Sequence, residues 1–192
     1  LAAVARSHEL RLGAAGTHGI NPVLQKLPYD PVRDFAPVSL VSFVPHVLVV
    51  NPSLPVSNLQ EFLQYSRSRP GLTYASSGTG TIHHLAAEML RSMTGTQFVH
   101  VPYKGAGPAM ADVQWMSIEY APALPMIKAG KLRPLALATA KRVPGIDLPT
   151  AAEAGLPGWE VTNWYAVFAP AGTPADVVDT LSRAVARGIT TA

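Results

Sequence analysis

Apolar runs ended by turn residues alternate along the chain with stretches in which apolar side chains recur every three or four positions. Short apolar runs are typical of buried strands, and the longer spacing is typical of helices that bury one face. The alternation predicts a mainly parallel sheet covered by helices. The predicted strands are Leu10 to Ala14, Val38 to Val44, Val47 to Val50, Leu72 to Ala75, Phe98 to Val101, Gln114 to Ser117, Leu132 to Ala138 and Tyr165 to Ala169.

Helices are predicted between most of these strands. Ser57 is predicted to cap the first helix and Thr173-Pro174 to open the last, because hydroxyl side chains and proline suit helix starts. Gly95 and Gly130 stand just past helix ends, where a left-handed residue is favoured. The predicted helices are Asn58 to Arg67, Thr81 to Thr94, Gly107 to Val113, Ala121 to Ala129 and Ala175 to Arg187.

Three places indicate that chain is missing. The start, Leu1 to Arg6, resembles the end of a helix and lacks the order of a secretion signal. The joins at Ser7-His8 and at Asp112-Val113-Gln114 pass from helix-like to strand-like sequence without a turn residue. We therefore expect loop residues to be absent at both joins.

The composition is that of a globular protein, with 48% hydrophobic and 14% charged residues among 192. The net charge is only +3 and the basic residues are scattered singly, which excludes a nucleic-acid-binding face. The absence of cysteine excludes disulfides and thiolate chemistry. No stretch approaches the roughly 18–20 apolar residues of a membrane span.

The strongest candidate site is a turn that follows the strand ending at Ala75 and precedes a helix beginning near Ile82. Free N–H groups, the positive end of a helix dipole and hydroxyl side chains all suit an anion, and glycine lets the backbone approach it. The alternative is an ordinary turn capped by Thr79 or Thr81. No lysine follows the second glycine and His83 replaces a third, so phosphate and dinucleotide loops are excluded. The candidate residues are Ser76, Ser77, Gly78, Thr79, Gly80 and Thr81.

A second glycine-bearing turn runs from Gly13 to Pro22. Its Thr17, His18 and Asn21 are candidate donors to a carboxylate; alternatively, His18 is solvated and Asn21-Pro22 is only a turn. A third turn carries the Tyr103 hydroxyl and the Lys104 cation, although Lys104 also fits a surface charge. Trp164 is a candidate wall of a binding cleft, with core packing as its alternative.

Two catalytic or metal-binding interpretations are rejected at this point. His83 and His84 lie about 100° apart on a helix, and only Glu88 stands four residues after His84, so we expect no metal site. Ser77 with His84 invites a hydrolase interpretation, but no G-x-S-x-G motif is present. We expect no enzyme activity and no cofactor.

Six segments, in order along nearly the whole chain, resemble the Bug family of bacterial extracytoplasmic receptors. These segments are Gly16 to Pro22, Leu27 to Val38, His100 to Gly105, Ile127 to Arg133, Pro149 to Gly158 and Phe168 to Pro174. The resemblance implies an α/β, type II periplasmic-binding-protein-like fold, with two lobes, mainly parallel sheets and an interlobe cleft. It implies a periplasmic receptor for tripartite tricarboxylate transporters, a small carboxylate or related solute as ligand, membrane transporter subunits as partners, and a monomer.

The resemblance also implies ligand contacts from the loop Ser76 to Thr81, from His84, and from Thr17, His18 and Asn21. The family commonly has an Asp where an ungapped alignment places Ile118, with Glu119 one step away, and we keep Glu119 as a candidate. The family's first strand and glycine-rich loop have no counterpart here. Lobe 1 is expected to comprise residues 1–46 and 162–192, and lobe 2 residues 47–161, with hinges near Val44 to Val47 and Trp164 to Phe168.

Two other classes remain open at the level of sequence. The effector-sensing domain of a transcription regulator shares the two-lobed architecture and would need a DNA-binding helix pair upstream. A serine hydrolase is the less favoured alternative. The identity of the ligand does not follow from the sequence, because backbone and hydroxyl donors accept many carboxylates.

Overall fold

The computed structural model describes residues 9–190, so Leu1 to Arg6 and the join at Ser7-His8 lie outside the described residues. The described chain divides into two compact units. One comprises residues 9–43 and 163–190, and the other Val44–Thr162. These boundaries lie close to the predicted lobe boundaries; that the units act as lobes around a hinge stays a prediction.

The first unit contains a short antiparallel strand pair and four further elements. Strand β1 (Arg11–Ala14) pairs with β7 (Thr162–Pro170), with Arg11 opposite Phe168. A single π-helical segment and a short helix follow β1, and neither was predicted. Phe35, Ala166 and Phe168 form the apolar cluster of this unit. The remaining elements are the π-helix Gly16–Ile20, α1 (Asn21–Leu24), the first part of β2 (Phe35–Val50) and α6 (Ala175–Thr190).

The second unit is a sheet with helices that match the predicted ones closely. Its elements are α2 (Leu59–Ser68), β3 (Leu72–Ser76), α3 (Ile82–Thr94), β4 (Phe98–Pro102), α4 (Ala106–Ala111), β5 (Trp115–Glu119), α5 (Tyr120–Lys128) and β6 (Arg133–Leu137). Strand β3 pairs in parallel with β4 and β5, whereas the second part of β2 runs antiparallel to β5 and β6. The sheet is therefore mixed, where the sequence predicted a mainly parallel one.

Both faces of this sheet are buried. Val47 and Val49 belong to the apolar cluster on one face, and Leu48 and Val50 to the cluster on the other. Successive side chains of a strand point to opposite faces, so an uninterrupted apolar run can fill two cores. Helices α2 and α3 contribute to the cluster of Leu48 and Val50, and helices α4 and α5 to the cluster of Val47 and Val49.

Two local predictions are wrong. The two strands predicted on either side of Pro45 form one strand, β2, because His46 N–H donates to Val161 O at 3.1 Å and continues the pairing beyond the proline. Asn58 rather than Ser57 caps α2: its side chain accepts the Glu61 N–H at 2.9 Å. The segment 112–114 connects α4 to β5, and the absence of loop residues at this join stays a prediction.

Candidate functional site

The candidate loop lies at the carboxyl edge of the parallel strands. Ser76 is the last residue of β3 and Glu119 the last of β5, while Tyr103 follows the end of β4. Tyr103 N–H donates to Ser76 O at 2.9 Å, which joins two of these strand ends. Ligands of α/β sheets bind at this edge, because the loops that follow parallel strands converge there.

Two glycines give the loop its backbone path. Gly78 has a φ of 137° and Gly80 a φ of 76°, both in the region that favours glycine. A Cβ atom added at Gly78 would lie 3.7 Å from Thr81 Cγ2 and 3.8 Å from Tyr103 O, which are ordinary contacts. Backbone conformation, and not crowding, therefore requires glycine at position 78.

The hydroxyl groups of Ser76 and Thr81 form hydrogen bonds within the loop. Ser76 Oγ accepts the Gly78 N–H at 3.1 Å, and Thr81 Oγ1 donates to Gly78 O at 2.7 Å. Thr81 is the residue that precedes α3, yet its side chain makes no capping hydrogen bond. Thr79 is exposed. The predicted alternative of a cap from the Thr81 side chain is therefore wrong.

The start of α3 consequently has backbone N–H groups that can donate hydrogen bonds to a ligand. Within the described part of the chain, the N–H groups of Ile82 and His83 have no hydrogen-bond acceptor. The first N–H groups of a helix point out of its positive end, where an anion is favoured. Together with Ser77 Oγ, they give the loop the chemistry of an anion site.

His84 supports the loop from the first turn of α3. Its Nδ1 accepts the Gly80 N–H at 3.1 Å, and its ring stacks on His100 with 4.1 Å between centroids. His100 Nε2 in turn lies 2.6 Å from Ser76 Oγ. Burial, helped by the nearby His84, lowers the pKa of His100. The expected contact between His84 and a ligand stays a prediction.

His83, which sequence reasoning did not select, links the loop to the end of β5. Ser77 Oγ lies 2.6 Å from His83 Nδ1, and His83 Nε2 lies 2.7 Å from Glu119 Oε2. Burial alone would raise the pKa of Glu119, but the hydrogen bond from His83 and the charges of the neighbouring imidazoles lower it to about 2. Glu119 is thus an ionised carboxylate at the inner end of a Ser–His–Glu series.

His46 approaches the same carboxylate from β2. Its side chain is fully buried, its Nδ1 lies 3.1 Å from Ser117 Oγ, and its Nε2 lies 3.8 Å from Glu119 Oε1. Burial lowers the pKa of His46 to about 4. The only sequence signal for His46 was a single polar residue at the head of the apolar run of β2.

Ile118 and its neighbour Glu119 lie in different environments. Ile118 is fully buried in the core, whereas Glu119 ends the strand with its carboxylate bonded to His83. The residue that presents a carboxylate at this strand end is therefore Glu119, one position after the one that an ungapped alignment selects.

The third predicted turn contacts the candidate loop through its backbone, at the Tyr103 N–H, rather than through its side chains. The Tyr103 hydroxyl donates to Asp112 Oδ2 at 2.6 Å, and this bond raises the pKa of Tyr103. Lys104 is exposed. Ligand contacts from either side chain stay predictions.

The remaining candidates lie in the first unit. The Thr17 hydroxyl accepts the Ala14 N–H at 3.0 Å, and the Asn21 N–H donates to Gly16 O. The His18 ring stacks on Phe168 at 4.2 Å and burial lowers its pKa, so the interpretation as a solvated side chain is wrong. Trp164 packs against the apolar cluster of this unit, as its core-packing alternative predicted. Ligand contacts from these four residues stay predictions.

Solved structures identify the class of protein. A protein of R. palustris, solved with adipate, matches 96% of this chain and 66% of its own at a TM-score of 0.89 and 39% identity. MatC from Rhodopseudomonas palustris, solved with bound malate, matches 97% of this chain and 67% of its own at a TM-score of 0.84 and 35% identity. The predicted class, a periplasmic-binding-protein-like α/β fold, is confirmed.

The chain belongs to the TctC family, described as the tripartite tricarboxylate transporter family receptor. The sequence model of this family matches residues 9–192. BugT of Bordetella pertussis is 37% identical over 168 residues, which are 84% of this chain and 52% of BugT. The predicted resemblance to the Bug family is therefore confirmed. The family consists of solute receptors and not of enzymes.

The chain spans about half the length of the curated relatives it matches. Among residues 9–190, no helix combines the length and the apolar character that crossing a membrane requires.

Proposed function

We propose that this chain forms the larger part of a periplasmic receptor that captures a small carboxylate and delivers it to a tripartite tricarboxylate transporter. The receptor family and the adipate and malate found in two similar structures support this assignment. The receptor acts as a monomer on membrane transporter subunits, and it binds its solute without chemical change.

The observation that carries the proposal is the uncapped start of α3. The glycine-bearing loop Ser76 to Thr81 leaves the N–H groups of Ile82 and His83 without acceptors in the described chain, next to the Ser77 hydroxyl. A carboxylate bound there would accept two backbone hydrogen bonds at the positive end of a 13-residue helix. Backbone donors select for negative charge and recognise little else of the solute.

His83 explains how an anion is tolerated near another carboxylate. Glu119 is buried and hydrogen-bonded to His83 Nε2, so the imidazole lies between Glu119 and Ser77. The negative charge of Glu119 is thereby partnered on the protein side. The solute carboxylate meets the hydroxyl and backbone N–H groups instead.

The test uses the full-length protein, purified and freed of retained solutes. A panel containing adipate, malate, monocarboxylates and matched neutral amides is screened by thermal shift, and each hit is titrated calorimetrically. We expect saturable binding of at least one carboxylate, weaker binding of its amide, and loss of affinity in Ser77→Ala. Preference for amides, or solutes retained by the purified protein that lack a carboxylate, would refute the carboxylate assignment.

A second experiment tests location. Fractionation of cells that express the complete gene should place the mature protein in the periplasm. Recovery with the cytoplasmic fraction, or a DNA-binding helix pair in the complete protein, would support a regulator instead.

A further inference from the structure

Three ionisable side chains from three separate elements meet inside the second unit. His46 lies in β2, His83 in α3 and Glu119 at the end of β5. Their exposed fractions are 0%, 6% and 8%. One nitrogen of each imidazole and one carboxylate oxygen all lie within 4.8 Å of one another. Polar groups converge this closely in a protein interior only where a proton, a water or an ion offsets the cost of burying them.

Each imidazole is oriented by a serine on its outer nitrogen. His46 Nδ1 lies 3.1 Å from Ser117 Oγ, and His83 Nδ1 lies 2.6 Å from Ser77 Oγ. Both Nε2 atoms therefore face Glu119. A hydrogen bond on one imidazole nitrogen that fixes the ring and leaves the other nitrogen for an ion is the usual outer arrangement around metal-binding histidines.

His46 supplies a second and independent observation. Among the described residues, its Nε2 atom has no hydrogen-bond partner although the side chain is fully buried. The nearest acidic oxygen, Glu119 Oε1, is 3.8 Å away, too far for a hydrogen bond. An ion bound between His46 Nε2 and the Glu119 carboxylate would need both groups to face it across such a gap.

We propose that His46 Nε2, His83 Nε2 and the Glu119 carboxylate form a site for a divalent transition metal ion, with Zn²⁺ the best match. Two imidazoles and one carboxylate are a known ligand set for Zn²⁺ with an open fourth position. Imidazole nitrogens favour zinc and its neighbours over Mg²⁺ and Ca²⁺, which take oxygen ligands. The site adjoins the carboxylate-binding loop through His83, whose ring also contacts Ser77, but Zn²⁺ binding by its three ligands does not depend on capture of a carboxylate.

Binding requires a small local rearrangement. With metal–ligand distances of about 2.0–2.1 Å, neighbouring ligand atoms of a tetrahedral site lie roughly 3.3 Å apart. His83 Nε2 and Glu119 Oε2, now 2.7 Å apart, must separate slightly, and His46 Nε2 must move toward Glu119. In the metal-free protein, the hydrogen bond between His83 Nε2 and Glu119 Oε2 occupies the place of the ion. Zn²⁺ binds a deprotonated Nε2, so metal binding replaces this hydrogen bond.

The test is titration of the chelator-treated, full-length protein with Zn²⁺ and separately with Mg²⁺. We expect one Zn²⁺ per chain, no comparable Mg²⁺ binding, and at least a tenfold loss of Zn²⁺ affinity in Glu119→Gln and in His46→Gln. Glu119→Gln retains a group that can accept from His83, which favours correct folding. His100→Gln is the matched control, since it removes a histidine of the same unit that lies outside the cluster, and its Zn²⁺ affinity should equal that of the wild type.

Two further results decide the matter if a variant does not fold. In wild-type protein, Zn²⁺ should shift the NMR signals of two imidazole Nε2 atoms, and in the Zn²⁺-bound state both Nδ1 atoms should carry protons. Co²⁺ should give the intense visible bands of a four- or five-coordinate site without sulfur charge transfer, as the sequence has no cysteine. Weak binding of several Zn²⁺ ions that is equal in the wild type and all three variants would overturn the proposal and leave a hydrogen-bonded His83–Glu119 pair.

Discussion

Ser77 Oγ lies 2.6 Å from the Nδ1 atom of His83. Since Glu119 occupies the Nε2 atom of the same ring, the two nitrogens are used in the opposite order to a serine-hydrolase triad, in which the serine meets Nε2 and the acid meets Nδ1. The series resembles a triad in composition and differs from it in geometry.

The first prediction is that the protein does not hydrolyse simple esters. The reversed imidazole would have to turn over to take a proton from Ser77 in the usual way, and Glu119 holds it in place. Release of p-nitrophenol from acetate and butyrate esters should equal the rate without protein, in wild type and in Ser77→Ala alike. Turnover that disappears in Ser77→Ala would contradict this.

The second prediction concerns the backbone of the candidate loop. Gly78→Val should weaken carboxylate binding more than Thr79→Ala, because a φ of 137° is costly for a β-branched residue, by about 1–3 kcal/mol. Thr79 is exposed, and the loss of one neutral hydrogen bond from it would cost about 0.5–1.5 kcal/mol. Calorimetric titration measures both variants, with circular dichroism as the control for folding. Wild-type affinity in a folded Gly78→Val protein would move the search for the site to Tyr103 to Gly107.

The third prediction compares two neighbouring residues at the start of α2. Asn58→Ala should lower the free energy of unfolding by about 1 kcal/mol, because the Asn58 side chain accepts the Glu61 N–H at 2.9 Å. Ser57→Ala should change it little, since Ser57 takes part through its backbone N–H, which donates to Glu61 Oε2. Urea unfolding followed by circular dichroism distinguishes the two. Equal losses would mean that the cap is not the side chain of Asn58.

The fourth prediction uses two buried tryptophans of the same core. Trp159 Nε1 donates to Ala86 O at 3.0 Å, whereas Trp115 Nε1 has no hydrogen-bond partner among residues 9–190. Trp159→Phe should therefore destabilise the protein by about 1 kcal/mol more than Trp115→Phe, because only the former removes a buried hydrogen bond. Urea unfolding with matched m-values is the measurement. A larger loss in Trp115→Phe would show that shape rather than the hydrogen bond dominates.

The sequence by itself determined the elements whose signals are local. The apolar run of β2 and the αL glycine at position 95 after α3 could be predicted because burial of a strand and the end of a helix depend on nearby residues. The loop from Ser76 to Thr81 could be selected for the same reason: a strand, small residues with two glycines, and a helix start follow one another in the chain.

Tertiary structure alone decided which side chains meet. The metal interpretation was rejected from sequence because no partner for His83 stands one turn away on α3, yet the fold supplies His46 from a strand 37 residues earlier and Glu119 from a strand 36 residues later. The tertiary structure also stacks the His18 ring on Phe168. Contacts across a sheet depend on strand order and register, and periodicity along the chain carries no information about either.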